Sequence, residues 1–420
     1  MTRTAHHPHP TPSFPVYCLD WADDDTLLLG GGGGASRSGI QNKIKLCKVS
    51  KDGRSVRYIT EVGLSNDEDA PMTVTVDREA RQLVTGINAS SSAVKEGAND
   101  HVRVYAYSED KIDYVKGQKT IDAAWSDDYP YQKLTSLSPN SSFVAVGTTD
   151  DKVSLLHFPS LEVAIPPFAT DAELVDLDWG GPKGEWYAVT TTTSLLLYHL
   201  AADSEKPSLK PQMELKQTIF APSLDITPVA FRSARFSRNP SSPIAIHAVL
   251  NATRSAKRGA PRKAFVCTFG IVAEPSKARL TAEEKITAQE KGKGKAIEGD
   301  GGEQELGKWD VLVKREVGGK PVTVFDVSAD GKLLAYGCSD LSIGILDSKT
   351  LAPLLKILHA HSFPPTALKF NPSANLLVSA SADNTIRAIV VPANFGGMSM
   401  SLIVVLLTIL ILILALVLRR

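Results

Sequence analysis

Apolar and polar positions alternate in short runs along most of the chain, and the runs recur. Three windows superimpose without a gap: SPNSSFVAVGTTDDKV (residues 138–153), SADGKLLAYGCSDLSI (328–343) and NPSANLLVSASADNTI (371–386). Each reads as a polar turn, an apolar strand ending in a small residue, a tight turn carrying an aspartate, and a new strand. The turn aspartates are Asp150, Asp340 and Asp383. The last two windows start 43 residues apart, at Ser328 and Asn371. A period of about 40–45 residues with four short strands per unit predicts a propeller blade.

Weaker copies fill the remainder. Apolar alternation at 16–21 and 26–29, at 72–76, 82–86 and 101–107, at 174–200, and at 229–236, 244–250 and 264–270 supplies four more units. Inner strands are predicted to start near residues 16, 72, 133, 174, 228, 322 and 366. The expected fold class is all-β, a seven-bladed β-propeller over residues 14–394, followed by one C-terminal transmembrane α-helix. The last unit ends near Val391 and looks one strand short. A strand from the N-terminal stretch would clasp the first blade to the last, although residues 1–13, rich in Pro and His, read as a disordered tail. His6, His7 and His9 on such a tail make a poor metal site.

Two polar stretches interrupt the pattern. Residues 275–307 are charged and low in aromatics, and read as a low-complexity insert between two strands of the fifth blade. Residues 88–100 interrupt the second blade in the same manner.

The C-terminal pattern differs in kind. Residues 402–418, LIVVLLTILILILALVL, are seventeen positions with Thr408 alone polar. As a helix they span about 26 Å, close to a thin bilayer core. Extended to residues 398–418, this segment is read as a tail anchor, with the propeller facing the cytosol. The folded bulk of the propeller sets that orientation against the pull of Arg419 and Arg420.

Composition narrows the chemistry. Lys+Arg and Asp+Glu balance at 46 each, which gives no support to sequence-independent nucleic-acid binding through a basic surface. Cys18, Cys47, Cys267 and Cys338 are scattered, with no CxxC pair, which fits buried thiols in a reducing compartment. No nucleophile elbow, paired metal-ligand spacing or phosphate loop occurs, so no catalytic residue is assigned.

The segment that demands a reason is 27–46, LLLGGGGGASRSGIQNKIKL. Five consecutive glycines between two strands carry a large entropic cost. A phosphate loop would need GK[ST], and a dinucleotide fingerprint would need a third glycine opening a helix. Neither is present, and a strand follows. An ordered hairpin loop presenting Ile40 and Asn42, with glycine carbonyls open to a cation, is the reading that remains.

The repeat loosely resembles the WD-repeat family. The one WD dipeptide, Trp309-Asp310, precedes a strand, and His361 stands where that family often has a structural histidine. The glycine segment resembles something narrower. Four glycines, three variable residues, Ser or Thr, Gly, Ile or Val, any residue, then Asn is the pattern of the endoplasmic-reticulum guanine-nucleotide exchange factors for the Sar-type small GTPase of COPII budding. The prolactin regulatory element-binding protein is their animal member. This chain matches at Gly31, Gly32, Gly33, Gly34, Ser38, Gly39, Ile40 and Asn42. The resemblance implies a protruding loop that binds potassium, here at the carbonyls of Gly31, Gly32, Gly33 and Gly34, and engages the switch region of the GTPase. Asn42 is then expected to hydrogen-bond the partner and Ile40 to pack on it. It further implies the endoplasmic reticulum membrane as location, with no bond-making chemistry of the chain's own. The alternative is a non-catalytic, membrane-anchored propeller scaffold for protein–protein interaction.

Overall fold

The computed structural model describes residues 4–35, 39–65, 68–181, 183–201, 211–224, 228–242, 244–253, 262–272, 307–395 and 407–409. Seven antiparallel four-stranded sheets form the body. Blades 1 to 6 occupy residues 16–63, 73–118, 132–169, 174–220, 229–318 and 322–357, each with strand order following the chain. Blade 7 takes Pro365–Phe370, Leu376–Ser381 and Thr385–Val390, and its fourth strand is His6–Pro10.

That N-terminal strand is the expected clasp between first and last blade, and it corrects the expectation of a disordered tail over residues 1–13. His6 to Pro10 pair antiparallel with Ile389 to Thr385. The Arg387 guanidinium lies 2.8 Å from His6 Nδ1, and the Thr11 N–H donates to Asn384 O at 2.8 Å. The ladder hides an edge that blade 7 would otherwise expose. The strand escapes recognition in HHPHP because two prolines and three histidines carry no β signal.

The apolar positions of the repeat go where the period predicts. Buried side chains gather in seven clusters, one at each junction between neighbouring blades. The junction of blades 7 and 1, for instance, packs Val378 and Ala388 against Leu27, Leu29 and Trp21. Six of the seven inner strands break register near their start, as between Val16 and Cys18 or Val322 and Val324. Such a bulge adds twist and turns the strand into the central channel.

The turn aspartates cap their own turns. Asp150 accepts from Thr148 Oγ1 at 2.5 Å, and Asp340 from Ser342 N at 3.1 Å. Asp383 accepts from Thr385 N at 3.0 Å and Ser362 N at 2.7 Å. His361 is buried between Thr385 Oγ1 (2.9 Å) and Ser379 Oγ (2.8 Å), a satisfied structural histidine. The bulk of the 275–307 insert and of the 398–418 segment lies outside the described residues. Among those described, no helix is long and apolar enough to cross a membrane.

Candidate functional site

The glycine loop starts from a rigid base. All six residues of Thr26–Gly31, the second strand of blade 1, are buried. Gly31 pairs with Val16 on one side and Lys43 on the other. Gly32 then turns the chain at φ +137°, its N–H on Pro15 O at 2.9 Å. A side chain here would place Cβ 2.3 Å from Asn42 Oδ1, so only glycine fits. Gly34 follows with φ +71°.

Asn42 closes the loop from its far end. Its Oδ1 accepts from Gly34 N at 2.9 Å, and its Nδ2 donates to Gly34 O at 3.1 Å and to Glu68 O at 2.7 Å. Its backbone carbonyl accepts from Leu64 N at 2.8 Å. A side-chain amide used this way imitates a peptide group in a strand pair. Asn42 is 5% exposed. In the free chain both amide protons are donated inside the protein and the side chain faces inward, so the expected hydrogen bond to a partner would require this brace to open.

The brace continues into blade 2. Glu68 Oε2 accepts from Ser65 N at 2.8 Å, and its Oε1 is ion-paired with Arg103. Burial pushes the Glu68 carboxyl up, but the Arg103 and Ser65 hydrogen bonds outweigh it and hold the group below its ordinary value. Asp69 N donates to Asn88 O at 3.1 Å. On the other side of the strand, Cys18 Sγ donates to Pro71 O at 3.3 Å.

Of the matched positions, Gly31, Gly32, Gly33, Gly34 and Asn42 therefore form the base and brace. Gly39 and Ile40 lie nearer the tip. Gly39 is exposed at φ +77° with open space around it, and Ile40 is half-buried. Ser38 lies outside the described residues.

The donors around the turn suit a hard cation in part. They are oxygens, and Asp69 Oδ1 lies 3.4 Å from where a Gly34 Cβ would sit, bringing negative charge to the turn. Against this, Gly31 is held in the ladder and the Gly34 carbonyl already accepts from Asn42. The four carbonyls thus do not form an uncommitted ring.

Beside the loop opens a groove of about 620 Å³, lined by Ala35, Asp69, Ser90, Trp125, Asp127 and Tyr129 among others. One wall is the short helix Ser91–Lys95, capped by Ser90 Oγ on Ala93 N. Lys95 Nζ sits 4.0 Å over the Trp125 ring. This helix occupies the stretch read as a polar interruption. Neither it nor Glu68 and Arg103 carries a sequence signal, since their partners lie tens of residues away without periodic spacing.

The central channel, about 720 Å³, is the larger cavity. Several of its charges are paired: Arg238 with Asp178 (2.8 Å), Arg235 with Asp176, Lys369 with Asp20 (3.2 Å). Aspartates of one blade also accept backbone N–H groups of the next, as Asp178 from Phe236 and Asp326 from Phe370, both at 2.8 Å. These groups hold blades together and present no nucleophile.

Comparison with known proteins agrees with this architecture. The WD domain, G-beta repeat family matches residues 352–388, which span the end of blade 6 and most of blade 7. The guanine nucleotide-exchange factor SEC12 of Candida glabrata is 22% identical over 387 residues, covering 91% of this chain and 72% of that protein. SEC12-like protein 2 of Arabidopsis thaliana is 36% identical over 84 residues, 20% of either chain. The seven closed blades, the WD repeat and the match along nearly the whole chain together fit a SEC12-like propeller protein.

Proposed function

We propose that this chain is a guanine-nucleotide exchange factor that promotes GDP release from a Sar-type small GTPase at the endoplasmic reticulum. The observation that carries the reading is the glycine turn at 31–34, braced by Asn42, with Gly39 and Ile40 beside it on a rigid propeller. The similarity to SEC12 along 91% of the chain supports the same reading.

Exchange needs no bond-making chemistry in the chain itself. A factor that binds the nucleotide-free GTPase more tightly than the GDP form shifts the equilibrium toward release. In this scheme Ile40 packs on the GTPase, and Asn42 fixes the loop in the shape that receives it. A potassium ion at the glycine turn would neutralise Asp69 and stiffen the same segment, held by carbonyl oxygens among Gly31–Gly34. The apolar 402–418 segment anchors the propeller to the membrane as a single C-terminal span.

The test is GDP release from a purified Sar-type GTPase, with and without the full chain in detergent. Stimulated release that falls on Ile40→Ala supports the proposal. Unstimulated release overturns it and leaves the membrane-anchored scaffold.

A further inference from the structure

We propose that the propeller rests on the lipid bilayer through the face opposite the glycine loop, so that the loop points away from the membrane. This rests on the tail-anchor reading above and adds the orientation.

Antiparallel blades fix which connections share a face. Second-to-third-strand turns and the links between blades lie at one end, and first-to-second and third-to-fourth turns lie at the other. Loop 32–42 is a second-to-third connection, and its neighbours agree. Asn42 donates to Glu68 O in the link to blade 2, and Asp69 N donates to Asn88 O in that blade's own second-to-third connection. At the opposite end, first-to-second turns meet: Asn371 Nδ2 donates to Asp24 O, and Ser373 N to Asp24 Oδ1, both at 2.8 Å.

The chain leaves from this second end. The strand Thr385–Val390 starts on the loop face and finishes on the other, where Val391 N donates to Asn375 O at 2.9 Å. Phe395 still packs against the cluster between blades 6 and 7. From Phe395 the sequence has two glycines before residue 398 and six residues before Leu402. At full extension these reach about 10 Å and about 25 Å. Strands of six residues make the propeller about 20 Å thick. A tether this short, leaving the far face, draws that face to the headgroups: the length of about 10 Å falls short of the propeller's thickness, and the length of about 25 Å would have to run round its rim at full extension to bring the loop face there.

The test uses the full chain in liposomes whose lipids carry a quencher. The four native cysteines are buried, and burial pushes the Cys47 and Cys267 thiols up to about 12 and Cys338 to about 11. A fluorophore therefore labels one introduced cysteine selectively. Ser362→Cys marks the loop face, in the link between blades 6 and 7. Lys349→Cys marks the exit face, in a third-to-fourth turn. Both sites are exposed. Lipid quenching several-fold stronger at position 349 than at 362 is expected. Equal or reversed quenching overturns the orientation while leaving the anchor intact. Loss of the chain from floated liposomes after an alkaline wash overturns the anchor and the orientation together.

Discussion

Asn42 and Gly34 exchange hydrogen bonds in both directions, Gly34 N to Oδ1 at 2.9 Å and Nδ2 to Gly34 O at 3.1 Å. The two residues are eight apart, so this single side chain pins the ends of the loop together. The second Nδ2 proton goes to Glu68 O, which ties blade 1 to the link into blade 2. Whatever the loop presents, its shape is set here.

Asn42→Ala removes all three bonds and leaves Gly34 N–H, Gly34 O and Glu68 O without them. The expected loss is about 3 kcal/mol of stability or more, from three hydrogen bonds of about 1 kcal/mol each plus buried groups left unpaired. Amide exchange should rise across 32–42 and 64–70 before the rest of blade 1. Nucleotide exchange should fall along with that protection. Unchanged protection in the variant contradicts the bracing role.

Ile40→Ala separates contact from bracing. Ile40 is half-buried near the tip, and its apolar side chain makes none of the hydrogen bonds of the Asn42 amide. Removing its side chain should change the melting temperature little. If the residue packs on a GTPase, the lost burial of about 1.5–3 kcal/mol lowers affinity by about tenfold or more. Affinity of the nucleotide-free GTPase, measured beside the melting curve, checks this.

Gly32 and Gly39, both at positive φ, should respond differently. At Gly32 a Cβ would sit 2.3 Å from Asn42 Oδ1 and 2.5 Å from Asn42 Cα, whereas at Gly39 it meets nothing within 4 Å. Gly39→Ala should cost only the left-handed backbone penalty, about 1–2 kcal/mol. Gly32→Ala should cost more, because Asn42 must move and the brace opens. Chemical denaturation of the two variants should rank them in that order.

Much of this was legible in the chain. The windows at 138–153, 328–343 and 371–386 share a register, and the inner strands begin within a residue of where the pattern puts them. Period-two alternation reports burial between neighbouring blades directly. Ring closure was legible too, since blade 7 looks one strand short and the N-terminal stretch supplies that strand. Only its exact residues, His6–Pro10, carry no β signal of their own, because ring closure overrides propensity there. Asn42 is legible as a loop residue of note, but its bracing role is not. A polar residue in a loop reads as outward-facing, and nothing local reveals that Gly34 and Glu68 will surround it. Arg103 was invisible for the same reason, its partner Glu68 lying 35 residues earlier.

Deleting residues 4–12 should reopen the ring at blade 7. Five ladder pairs to Thr385–Ile389 would be lost, along with Thr11 N–H on Asn384 O. The freed edge, Thr385–Val390, would then offer unpaired backbone groups to a second chain. A lower melting temperature together with concentration-dependent association in size-exclusion chromatography is expected. A monomer with unchanged stability would show that the clasp contributes nothing.

The channel gives a pH-dependent prediction. Burial pushes the Asp326 carboxyl up to about 6, against the opposing pull of Lys369, the Phe370 N–H and Arg235. Asp20, also in the channel, adds to the rise. A carboxyl raised in the folded state holds its proton longer there than in the unfolded chain. Its contribution to stability is therefore greatest below the unfolded value near 4 and is lost as pH rises to about 6. A shift of about two units corresponds to about 3 kcal/mol. Asp326→Asn keeps an oxygen for Phe370 N–H and removes the titration. Relative to the parent chain, the variant should therefore gain up to about 3 kcal/mol between pH 4 and pH 7, read by urea denaturation across that range. Parallel pH profiles for the two proteins would show that the Lys369 and Arg235 charges compensate Asp326 fully, and that its carboxylate is not strained by burial.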